Sequence, residues 1–77
     1  MGYKERDTVV LVRDLPEHSL RAGDLGAVVF VHPPDQIQVE FVRASGQTQA
    51  VVTLANSDVR SVGNQDLVAV RELAPGA

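Results

Sequence analysis

Seventy-seven residues, 44% of them hydrophobic, specify one small globular domain and not a disordered chain. A chain this short buries about 60% of the surface its unfolded form exposes, so its single core leaves a net stability of roughly 3–5 kcal/mol. The absence of cysteine excludes disulfides and thiolate metal sites. A formal net charge of −3, with one lysine and six singly scattered arginines, argues against the basic stripe that neutralises nucleic-acid phosphates.

Residues 1–6 read as a polar N-terminal segment without the apolar stretch of a signal peptide. No apolar run approaches the ~18 residues of a membrane span. A bacterial-type cytoplasmic protein with no membrane contact is the expectation. The domain proper spans residues 7–73, and Ala74-Pro75-Gly76-Ala77 reads as a frayed tail.

The first strand is the β-branched run Thr8-Val9-Val10-Leu11-Val12, bounded by Asp7 and Arg13. A long polar loop follows, Asp14 to Gly26. Ala27-Val28-Val29-Phe30-Val31 forms the second strand and stops at His32-Pro33-Pro34-Asp35, where two prolines remove ladder donors. Gln36-Ile37-Gln38-Val39-Glu40-Phe41 alternates with period two, which turns Ile37, Val39 and Phe41 inward. Arg43-Ala44-Ser45-Gly46 is a hairpin turn in which Gly46 supplies positive φ. Thr48–Leu54 returns as the fourth strand. Ala55-Asn56-Ser57-Asp58 suits a single 3₁₀ turn, and Val59–Val62 is a short fifth strand. Beyond Gly63-Asn64, residues 67–71 admit a short helix or a sixth strand, and the β-branched Val68 and Val70 favour the strand.

Five short antiparallel strands, a long first loop, a tight hairpin and a 3₁₀ turn before strand five describe an all-β, SH3-like barrel with a C-terminal sixth strand. An OB-fold competes, but its usual helix has no counterpart here.

The loop Asp14-Leu15-Pro16-Glu17-His18-Ser19-Leu20-Arg21-Ala22-Gly23-Asp24-Leu25-Gly26 packs three carboxylates and a histidine into a short span. A transition-metal site wants at least three ligands in fixed geometry, and the only other histidine, His32, lies on a different element. An acid/base pair needs a cleft that shifts pKa values, for which a small barrel has little room. The plainer roles are architectural. Asp14 accepts backbone N–H bonds, Pro16 stiffens the turn, Gly23 and Gly26 allow tight geometry, and Leu15, Leu20 and Leu25 tuck beneath the loop. Gly23-Asp24-Leu25-Gly26 leads into a strand and not a helix, so no dinucleotide fingerprint is present. No catalytic, cofactor or metal residue is assigned.

Asp7-Thr8-Val9-Val10-Leu11, Asp14-Leu15-Pro16-Glu17-His18, Gly23-Asp24-Leu25-Gly26-Ala27-Val28-Val29 and Val39-Glu40-Phe41-Val42 resemble a family of small bacterial proteins catalogued only as a domain of unknown function. The resemblance covers roughly residues 7–62, and Asp14–Gly26 is its most specific part. It implies an SH3-like barrel and, for some members beside toxin-like partners, an antitoxin or accessory role; it carries no catalytic residues. The Gly-x-x-Gly-x-Val segment is also similar to KOW-type and nitrile-hydratase-type barrels, a common pattern that mainly fixes a turn.

The function expected is non-enzymatic: a protein-interaction or accessory module, monomeric or weakly homodimeric, with a KOW-like module on nucleic acid or ribonucleoprotein as the alternative. Peptide-binding barrels use clustered exposed aromatics, but the only aromatics are Tyr3, Phe30 and Phe41, with both phenylalanines expected in the core. Charge and the missing stacking aromatics count against nucleic acid. The partner surface is therefore expected on Asp14, Glu17, His18, Arg21 and Asp24 of the loop and on Val68 and Val70 of the extension.

Overall fold

Residues 2–73 are described by a computed structural model. The chain is all-β, with strands β1 (Thr8–Leu11), β2 (Leu25–His32), β3 (Gln36–Val42), β4 (Thr48–Ala55) and β5 (Val59–Ser61). Single 3₁₀ turns occupy Pro16–His18 and Asn56–Asp58. All neighbours in the sheet are antiparallel, in the order β4-β3-β2-β1-β5.

The alternation of β3 decides which face is inside. Ile37, Val39 and Phe41 are buried and register against Leu54, Val52 and Ala50 of β4. Val9, Leu11, Val28, Leu15 and Leu20 complete the same cluster. Each strand thereby gives one side-chain row to the core, as period two requires. The turn Arg43–Gly46 closes the central hairpin through the Gly46 N–H to the Arg43 carbonyl (2.9 Å), with Gly46 at φ +93°.

Four expectations change. The sheet does not close into a barrel: β4 and β5 remain its two edges. Residues 67–71 form no strand among the described residues, because none of their backbone groups joins a ladder. Phe30 is 46% exposed, since the irregular register between Val28 and Phe30 turns it to the face opposite the core, where its ring meets His32 edge-on at 4.5 Å. Leu25 is likewise exposed, because its register partner Val10 lies on that same outer face. The expected frayed tail, residues 74–77, lies outside the described residues.

Candidate functional site

The first loop is held by its own carboxylates. Asp14 Oδ1 accepts the Ala22 N–H (2.9 Å), and Asp24 Oδ2 accepts the Arg21 N–H (2.9 Å). Leu15 and Leu20 exchange backbone bonds of 2.9 and 3.1 Å, which draws both side chains into the core. Ser19, left-handed at φ 58°, ends the 3₁₀ turn. The expected architectural roles of Asp14 and of Leu15 and Leu20 are met; Leu25 is the exception described above. Glu17 and Arg21 are exposed. His18 is half-buried and uses its carbonyl to accept the Gln49 side-chain amide at 3.1 Å.

The C-terminal segment 62–73 is irregular, yet it is fixed at two points. Arg71 grips Asp24 with both ends of its fork, Nε to Oδ1 at 2.8 Å and Nη2 to Oδ2 at 2.6 Å. The same Nη2 reaches the Ser19 carbonyl at 3.0 Å. Nearer β5, Arg60 makes a second bidentate pair with Asp66, both bonds 2.8 Å, and Asp66 also accepts the Gly63 N–H. Planar guanidinium–carboxylate pairs of this kind fix geometry as well as charge.

These contacts set the charge states. Burial raises the Asp24 pKa, but the bonds from Arg71 and the Arg21 N–H outweigh it, and the carboxyl lies below its ordinary range. Arg60 and the Gly63 N–H hold Asp66 down to about 2. Asp24 is thus a fixed anion at neutral pH. It tethers the extension and is not placed to deliver a proton.

Between the sheet and this segment lies a cleft of about 590 Å³, lined by Val10, Leu25, Val42, Asp24 and the run Asp66–Leu73. Val10 is only 5% exposed although it stands apart from the main core cluster, on the outer face of β1 between Leu25 and Arg60. The segment that crosses this face shares the cleft with it. The apolar side chains of the segment are nonetheless open to solvent: Leu67 is 90%, Val68 70% and Val70 94% exposed.

The structure therefore brings Asp24, Val68 and Val70 to one surface, with Asp14 and Arg21 beside Arg71 and Leu73 in a smaller adjoining hollow. It leaves Glu17 and His18 out of both. Arg60, Asp66 and Arg71 were not legible as site residues. The only signal in the sequence is that Asp66 and Arg71 bracket the apolar run, and Arg60 has none.

No three metal-ligating side chains cluster among the described residues. Protein purified without chelator is expected to carry background metal, and Glu17→Ala with His18→Ala is expected to leave it unchanged. Stoichiometric metal that disappears in the double variant would overturn this.

The profile of a family described as a domain of unknown function (DUF4926) matches residues 5–61, and the chain belongs to that family. The matched region ends with β5 and leaves out the segment that carries Asp66, Val68, Val70 and Arg71. No curated protein and no solved structure matches the chain.

Proposed function

We propose that this member of the family is a non-enzymatic, SH3-like protein-interaction module. It would receive a protein partner, the product of a neighbouring gene, on the surface formed by the C-terminal segment and the first loop. A long first loop, the meander β2-β3-β4 and a 3₁₀ turn before β5, which returns beside β1, support the SH3-like reading.

The exposure of Leu67, Val68 and Val70 carries the proposal. A bare apolar segment without ladder partners is a hazard in a monomer, and a partner strand or groove would cover it. The charge of the first loop would supply the polar rim of such an interface. The KOW-like alternative finds less support, since Arg13, Arg60 and Arg71 are already paired with Asp58, Asp66 and Asp24.

The test is calorimetric titration of the purified neighbouring gene product into the chain and into its Leu67→Asp, Val70→Asp variant. Both side chains are almost free of the fold, so the variant should melt like the wild type. Binding to the variant should weaken at least about tenfold, or ~1.4 kcal/mol. Equal binding by both proteins, or no binding to the wild type, refutes the proposal. Salt-sensitive binding to RNA in place of the protein would favour the KOW-like reading.

A further inference from the structure

The two edges of the sheet are not protected alike. β5 has three residues, with Arg60 at its centre, and its Val59 carbonyl accepts the Tyr3 hydroxyl at 3.4 Å. β4 has eight residues, Thr48-Gln49-Ala50-Val51-Val52-Thr53-Leu54-Ala55, with no charge, no proline and no glycine. Sheet edges are normally blunted by those residues or by a covering element. The first loop reaches only the start of β4, through Gln49, and the Ala55 N–H at its end is taken by Asp58. Between these two points Val51 and Thr53 are exposed.

The register shows which backbone groups face outward. The Asn56 N–H bonds the Asp35 carbonyl at 2.8 Å, in the same register that pairs Ile37 with Leu54, Val39 with Val52 and Phe41 with Ala50. Antiparallel hydrogen-bonded pairs alternate, so Ala50, Val52 and Leu54 turn their N–H and C=O groups toward β3. Those of Val51 and Thr53 point away from the sheet. Among the described residues they have no backbone partner.

We infer that this edge pairs with the β4 edge of a second copy of the chain, antiparallel and centred on Val52, to give a continuous ten-stranded sheet across a two-fold axis. In that register Val51 exchanges both backbone bonds with Thr53 of the second copy, and Thr53 with its Val51. Val52 meets its own counterpart on the core-facing side, where Ala50 and Val52 already pack against the core cluster. Val51, 50% exposed, lies opposite a threonine on the outer side.

A second copy brings the same eight uncharged residues to the contact, so the two strands meet without setting like charges opposite one another although each chain carries a net charge of −3. Symmetry closes the assembly. A β4-to-β4 contact is isologous and stops at two copies, whereas a β4-to-β5 contact would propagate into fibres and is obstructed by Arg60 and Tyr3.

The test is sedimentation of the whole chain at submillimolar concentration, with amide exchange read residue by residue. A dimer is expected, with the Val51 and Thr53 amides protected at high concentration and exchanging freely on dilution. Val51→Lys and, separately, Thr53→Lys place charges in the pairing ladder at exposed positions and should each give a folded monomer. Leu67→Asp with Val70→Asp should leave the dimer intact, which separates this contact from the partner surface proposed above. A wild type that stays monomeric refutes the inference. So does a dimer that survives both lysine variants, or one that is lost in the Leu67 and Val70 variant instead.

Discussion

Gly26→Val is expected to destabilise the fold by about 2–3 kcal/mol, most of the net stability of a domain this small. Gly26 lies on β2, in register with Val9, and presents its Cα to the buried face. A Cβ built there overlaps Val39 Cγ1 and comes within 2.9 Å of Phe41 Cε1. Both neighbours are core residues without a free end to swing aside, at 0% and 2% exposure. Valine adds two further methyl groups to a space that does not hold one carbon. The tight geometry expected at this glycine is not a positive φ, which occurs at Gly23 and Gly46 but not here, so close approach is the reason. Thermal unfolding should fall by roughly 10 °C or more. A melt within a degree or two of the wild type would contradict this account of the core.

Truncation after Val62 is expected to cost about 1–2 kcal/mol at neutral pH, chiefly by returning Val10 to water on the outer face of β1. It also leaves Arg60 and Asp24 without their partners, although these pairs are partly solvated and add little by themselves. Their titration gives the effect a distinctive pH dependence. The carboxyls of Asp24 and Asp66 are both depressed, Asp66 to about 2. A depressed carboxyl contributes stability above its unfolded pKa, near 3.9, and loses it as pH falls through the folded value. The part of the full chain's advantage that comes from these pairs should therefore hold from pH 7 to about 5, shrink below about 4 and be nearly gone by about pH 2, while the part that comes from Val10 does not titrate. Urea unfolding of both chains at several pH values measures it. Equal stabilities at pH 7 would show that the segment is a passive tail, and a gap indifferent to pH would show that its ion pairs contribute nothing to the fold.

Much of the fold was legible because its signals are local. Period-two alternation in Gln36–Phe41 gave the inward row, the hairpin glycine Gly46 gave the turn, and Asn56-Ser57-Asp58 gave the 3₁₀ turn before β5. The errors share one cause. Phe30 and Leu25 were assigned to the interior on hydrophobicity, yet a register irregularity and the outer-face position of Val10 put both in solvent. Leu67-Val68-Ala69-Val70 has the composition of a strand, but no edge receives it.

By itself, the sequence determined the class of the fold, the strand positions to within a residue or two, and the carboxylate-knit first loop, because backbone sterics and side-chain alternation act over a few residues. Tertiary structure alone decided that the sheet stays open, that β4 is its unguarded edge, and that Arg71 crosses 47 positions of chain to hold Asp24. Those features depend on which distant groups meet once the core has formed, and an ion pair between residues so far apart leaves no period to read.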